Sequence, residues 1–158
     1  MAVQPIPPGY HTVTPYLMMK NASKAIQYYQ QAFGATELFR MPGPNDAVMH
    51  AELQIGTSRI MLADESSGEG CSDPTGATGT PVSLMVYVED VDKVFARAIE
   101  SGGTVKRPVI DQFYGDRSGT LADPFGHVWT IATHKEDVGH EELERRLAAM
   151  MKSTGGGA

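Results

Sequence analysis

Cysteine is nearly missing from this chain: Cys71 is the one thiol in 158 residues, so no internal disulfide can staple the fold. Its neighbours Ser66, Ser67, Gly68, Gly70, Ser72, Pro74 and Gly76 place it on a loop, where an incidental exposed thiol is expected. Long apolar runs are missing too, and nothing approaches the ~18 residues of a membrane span, so no membrane partner is expected. Basic residues are in the minority, 13 against 19 acidic ones for a net charge of −6. A nucleic-acid partner needs a clustered basic face, and none is expected here. Arg145 and Arg146 stand among Glu141, Glu142 and Glu144 and are read as pairs on a helix surface. The opening residues, MAVQPIPPGYHTVTPY, hold no basic stretch followed by an apolar one, so the expected setting is the cytoplasm. No P-loop, dinucleotide fingerprint, nucleophile elbow or paired-cysteine motif occurs, which removes support for phosphotransfer, redox-cofactor and hydrolase chemistry.

What the chain does contain is an internal repeat. Lys24 and Lys93, Gly34 and Gly103, and Ala63 and Ala132 all stand 69 residues apart. In the first copy the alternating run VTPYLMM leads to Asn21, a good helix N-cap, then to apolar positions at helical spacing and to Gly34 where a left-handed cap is wanted. In the second, PVSLMVYV leads to Asp90, a similar periodic segment, and the pair Gly102 and Gly103. Three strand-like runs follow each helix: 36–41, 47–55 and 58–63, then 104–110, 113–122 and 127–134. The expected organisation is an extended N-terminal arm over 1–9, a βαβββ module over 10–64, a linker over 65–80, a second βαβββ module over 81–136, a helix over 137–152 and a disordered tail over 153–158.

This tandem α+β pattern, with the closing phrase Asp123, Pro124, Phe125, Gly126 before a final strand, resembles the vicinal oxygen chelate superfamily, the group of glyoxalases, bleomycin resistance proteins and dioxygenases. Pro15 to Leu17, Met49 to Leu53, Ile60 to Leu62 and Thr133 to Asp137 look like its PhnB-like, glyoxalase-like branch. The resemblance implies curled mixed sheets around a cup, helices on the convex face, a small-molecule ligand and a homodimer. Pairing also suits the sheet edges, which a partner or sister module must cover.

Strand alternation assigns the faces. A two-residue turn at Gly56 and Thr57 pairs Ile55 with Ser58, Leu53 with Ile60 and Glu52 with Met61. Met49, Ala51, Leu53, Ile55, Ile60 and Leu62 then share a face suited to packing under a helix. His50, Glu52, Gln54, Arg59, Met61 and Ala63 share the other, which is the cup or solvent. In metal-using relatives the four ligand positions correspond, by the resemblance, to Thr14, Met61, Ser83 and Thr130. None is a usual ligand for a divalent ion, so no cofactor is expected, the alternative being a divalent metal relocated to His50 and Glu52.

His50 and Glu52 are the catalytic candidates, as a general-base pair or as metal ligands, against the plainer reading of polar lining. Tyr16, Met18, Met85 and Tyr87 are candidate apolar walls. Arg59 lines the cup, and His134 shares the parity of Thr130. At the turn beginning with Tyr114, Asp116 and Arg117 either pair with each other or present Arg117 to a ligand carboxylate. His127 and Trp129 read as turn and core residues, the tryptophan under the second helix. The leading expectation is a metal-independent small-molecule-binding protein. The alternatives are a lyase, isomerase or dioxygenase using His50 and Glu52, and a structural or interaction module with a vestigial cup.

Overall fold

The computed structural model describes residues 5–65, 74, 75, 80 and 82–154; Cys71, nearly all of the linker and the last four residues lie outside them. The first module runs β1 (Tyr16–Met19), α1 (Ala22–Phe33), β2 (Thr36–Pro42), β3 (Val48–Ile55) and β4 (Ser58–Asp64). The second runs β5 (Ser83–Tyr87), α2 (Val91–Glu100), β6 (Thr104–Asp111), β7 (Asp116–Ala122) and β8 (Val128–His134), and α3 (His140–Thr154) follows. Each module forms a four-stranded mixed sheet, ordered β1-β4-β3-β2 and β5-β8-β7-β6. The α+β class and the tandem βαβββ plan are as expected from the sequence.

The repeat survives as register. Tyr16 faces Met61 across the parallel β1–β4 pair, and Met85 faces Thr130 across β5–β8, each residue 69 positions on from its counterpart. Both helices begin on the side-chain caps anticipated: Asn21 accepts from the Lys24 amide at 3.1 Å and Asp90 from the Lys93 amide at 3.0 Å. Equivalent positions at the ends of β4 and β8 receive the helix starts. Asp64 accepts from the amides of Ala22 and Val48, both at 2.8 Å, while Thr133 accepts from Val91 and donates to the carbonyl of Val88, both at 2.9 Å.

The Gly56 turn sets the β3–β4 register, with Ile55 opposite Ser58, Leu53 opposite Ile60 and Glu52 opposite Met61. Ala51, Leu53, Ile55, Ile60 and Leu62 are buried under α1. Met49 departs from the expectation: it is 59% exposed, at the end of β3 where the β2 pairing is irregular, and it lies beyond the cover of the helix. Strand β7 begins at Asp116 rather than at 113, because Gly115, at φ 103°, turns the chain just before it. Helix α3 extends through Ser153 and Thr154, which were expected in the tail.

Among the described residues the modules meet along α1 and α2 and around the Asp123 turn. Helix α1 lies against α2, where Tyr28 donates to the Ala98 carbonyl at 3.1 Å and Arg97 donates twice to the Ala32 carbonyl at 3.1 and 3.2 Å. A Cβ at Gly103 would meet the Tyr28 hydroxyl at 2.7 Å, so this approach needs glycine. The second joint is the Asp123 turn. Its buried carboxylate takes the amides of Phe125 and His127 on one oxygen, both at 2.9 Å, and the Tyr29 hydroxyl at 2.7 Å and Trp129 indole at 3.0 Å on the other. The Trp129 ring packs on Tyr29 and Phe33 of α1, with centroids 5.5 and 4.7 Å away. Trp129 therefore faces the first helix, not the second alone, because α1 reaches across the module boundary. His127 donates to the carbonyl of Met18 in β1 at 3.1 Å, adding a further tie between modules.

Two tests follow from this packing. Tyr29→Phe removes one donor from a buried carboxylate and is expected to lower unfolding free energy by about 1–3 kcal/mol, and Asp123→Ala, which orphans four donors, by more; urea titrations measure both. Leu53→Glu places a carboxylate beneath α1 and is expected to lose several kcal/mol or the fold itself. Glu52→Leu, on the opposite face, should melt close to the parent, and calorimetry of the two variants checks the register.

Candidate functional site

The face of the first sheet turned away from α1 has no helix on it. Register places Tyr16, Met18, Phe39, Met41, His50, Glu52, Arg59 and Met61 there. Phe39 and Met41 were not anticipated, since a β2 irregularity between Glu37 and Phe39 interrupts the alternation that would have revealed them. Both are about half exposed, as is Tyr16.

A hydrogen-bonded chain crosses this face. The Tyr16 hydroxyl lies 2.7 Å from His50 Nδ1, and His50 Nε2 lies 3.3 Å from Glu52 Oε1. With the Nε2 proton given to the carboxylate, Nδ1 is left to accept from Tyr16. The other carboxylate oxygen, Oε2, accepts from the hydroxyl of Tyr10, which arrives from the segment before β1. That bond holds the Glu52 carboxyl below its usual range, with His50 and Arg59 contributing; burial raises the Tyr10 phenol, and Glu52 adds to the effect. Arg59 stacks its guanidinium 4.8 Å from the Tyr10 ring centroid, and its buried Nε has no hydrogen-bond partner among the described residues. Tyr10 was absent from the sequence-based candidates because it lies outside every periodic segment.

The corresponding face of the second sheet has a different polar group. Asp116 is buried and accepts from Tyr87 at 3.0 Å and from His134 Nδ1 at 2.8 Å. His134 Nε2 also meets Asp137 at 3.0 Å, and these two carboxylates raise the imidazole pKa, the hydrogen bond that His134 makes to Asp116 most. Thr120 and Thr130 share a hydrogen bond of 3.0 Å. Met85 and Tyr87 are 48% and 60% exposed, and Tyr114 stands in the turn before β7 beside Phe113. His50 and His134 thus belong to separate groups on separate sheets.

Arg117 falls elsewhere. Its parity matches Gly119 and Leu121 on the helix-bearing face, where it pairs bidentately with Asp92 of α2 at 2.8 Å and with Asp111 at 3.2 Å. Asp116, one residue away, points to the opposite face, so the two alternatives weighed for Arg117, an Asp116 pair or a ligand contact, give way to a helix-to-sheet clamp.

The four positions where relatives would hold a metal do not fit one. Thr14, Ser83 and Thr130 offer neutral hydroxyls, the last already shared with Thr120, and Met61 offers a soft thioether beside Glu52. At the alternative place, both nitrogens of His50 are engaged, and among the described residues Glu52 is the one carboxylate in its hydrogen-bonded group. Among the described residues no cluster of three or more His, Cys, Asp or Glu side chains could hold a metal.

Comparison with known proteins agrees with this architecture. The uncharacterized protein Mb0911c of Mycobacterium bovis is 40% identical over 148 residues, covering 92% of this chain and 95% of the relative. The structure resembles that of an Arabidopsis thaliana gene product, At5g48480, at 25% identity and a TM-score of 0.64, covering 78% of this chain and 98% of that one. It shares the fold of the PhnB protein from Bacillus cereus, at 20% identity and a TM-score of 0.61, covering 78% and 99%. The model of the glyoxalase/bleomycin resistance protein/dioxygenase superfamily matches residues 10–131, and the chain belongs to that superfamily.

Proposed function

We propose that this protein binds a small organic molecule on the helix-free face of its first sheet, without a divalent metal. The observation that carries the reading is the hydrogen-bonded group of Tyr16, His50 and Glu52, which Arg59 joins through the Tyr10 ring, set among half-exposed Phe39 and Met41. A few placed polar groups within apolar walls is the usual make-up of a ligand site. The core does not require these residues, because Ala51, Leu53, Ile60 and Leu62 on the other face bury the sheet against α1. The donor chemistry at Thr14, Met61, Ser83 and Thr130 supports metal independence. A second reading has one specific observation in its favour: the continuous chain from Tyr16 through His50 to Glu52 is a route for a proton, so the same group can serve acid–base catalysis.

The second sheet belongs to the same proposal. Its helix-free face exposes Met85 and Tyr87 near Thr130, and the first exposes Tyr16. A homodimer would cover such apolar surface and sheet edges together. Among the described residues no helix is long and apolar enough to cross a membrane; with a net charge of −6 and no clustered basic face in the sequence, the proposal carries a cytoplasmic setting and no nucleic-acid partner.

A thermal-shift screen of small molecules, run with and without chelator, tests the binding reading. A ligand near 100 times its Kd should add about 2.7 kcal/mol, a rise in Tm of roughly 5–10 °C, unchanged by chelator and lost in His50→Ala. Stoichiometric zinc, nickel, iron or manganese in the purified protein, lost on changing His50 or Glu52, would replace this reading with a metal-dependent enzyme. Light scattering at micromolar concentration is expected to give twice the chain mass; a persistent monomer overturns the dimer.

A further inference from the structure

The ligand site proposed above already has an occupant from its own chain. Pro15, next to β1, is tied to the sheet through the Met61 amide at 2.9 Å, whereas Tyr10 lies outside the strands, its amide donating to the Pro7 carbonyl in a turn at 3.1 Å and its side chain lying over the first sheet. There the phenol is read in three ways. Its hydroxyl donates to Glu52, its ring face receives the Arg59 guanidinium at 4.8 Å, and Gly9 lets the backbone close on that guanidinium, where a Cβ would run into Nη2.

We propose that Tyr10 is a displaceable plug, and that the molecule this site takes is a para-substituted phenol that replaces the Tyr10 side chain on Glu52 and Arg59. The inference rests on the binding reading given under Proposed function and narrows it to a ligand class. A carboxylate that accepts a phenolic proton and a cation over the ring together recognise a hydroxylated aromatic, whichever chain supplies it. Exchange of one phenol for another keeps both interactions, so what opposes an external ligand is the tether of Tyr10, which acts as a local concentration. The anchorage is also incomplete. Arg59 Nε is buried without a partner among the described residues while Tyr10 is in place, so the resident side chain leaves a donor that a better occupant with a second acceptor would satisfy. Core tyrosines in this protein differ in kind: Tyr29, with its hydroxyl on Asp123 and its ring on Trp129 and Phe33, is fully buried, whereas Tyr10 is only half-buried and sits on an unpaired segment.

Calorimetric titration with 4-methylphenol, the side chain of tyrosine as a free molecule, tests the plug. If Tyr10 occupies the site most of the time, Tyr10→Ala is expected to bind 4-methylphenol about tenfold more tightly than the parent, since the competent fraction rises from roughly a tenth to one. Toluene, lacking the hydroxyl, should bind neither protein comparably, and Glu52→Gln in the Tyr10→Ala background should weaken 4-methylphenol. Tyr10→Phe, which keeps the ring over Arg59 and loses only the hydroxyl, should fall between parent and Tyr10→Ala and guards against a folding defect in the larger truncation. In the parent, 4-methylphenol should shift the Gly9 and Tyr10 amide resonances. Equal affinity in parent and Tyr10→Ala, or equal binding of toluene, overturns the plug. If compounds from the screen still bind both proteins alike, the binding reading stands without it; if no compound stabilises either protein, both fall.

Discussion

The Asp123 carboxylate is buried between the two halves of this chain, and it accepts four hydrogen bonds there, two from its own turn and one each from Tyr29 and Trp129. A buried carboxylate short of donors is heavily penalised, so these four partners are obliged to stay together. Tyr29 belongs to α1 of the first module and Trp129 to β8 of the second, so a local turn motif becomes a joint between repeats. Burial drives the Tyr29 phenol well above its ordinary range, and the adjacent carboxylate pushes it the same way, so the hydroxyl remains a donor. With the turn held, the amide and imidazole of His127 are aimed in different directions, one into the turn and the other at the Met18 carbonyl.

That joint commits one face of each sheet. Helices α1 and α2 cover the faces bearing Leu53, Leu62, Leu121 and Ile131, and Arg117 clamps α2 to β7 through Asp92. Among the described residues no helix covers the faces left over, and there the two modules have diverged while keeping one register. Positions 69 apart carry Tyr16 and Met85, Met18 and Tyr87, Met61 and Thr130. The first sheet centres its polar group on Glu52, whereas the second centres its own on Asp116 near the end of the hairpin. Duplicated backbones thus carry two unlike faces, and the ligand site proposed for this protein lies on the first of them.

Much of this was legible from residues alone, because the determining forces are local. Asn21 and Asp90 cap helices through contacts three residues away, Gly34 takes the left-handed conformation that ends α1, and the short Gly56 turn dictates which residue faces which across β3 and β4. Period-two alternation then separates Glu52 from Leu53 with no knowledge of tertiary contacts, since a slip of one residue would put the carboxylate under the helix. By such means the sequence by itself determined the tandem βαβββ plan and the faces of the first hairpin.

Only the tertiary structure decided where each long side chain finds its partner. Arg117 could pair with several acids by spacing, and the packing of α2 on β7 brought Asp92 rather than Asp116 within reach. Trp129 was recognisably a core residue, yet its neighbours Tyr29 and Phe33 depend on how α1 crosses the module boundary. Tyr10 carried no periodic signal, and its place on Glu52 and Arg59 follows from an unpaired segment folding back over a sheet. Caps, turns and alternation act over a few residues and are written into the chain; contacts between elements depend on the relative placement of whole helices and sheets, which the sum of all buried interactions sets.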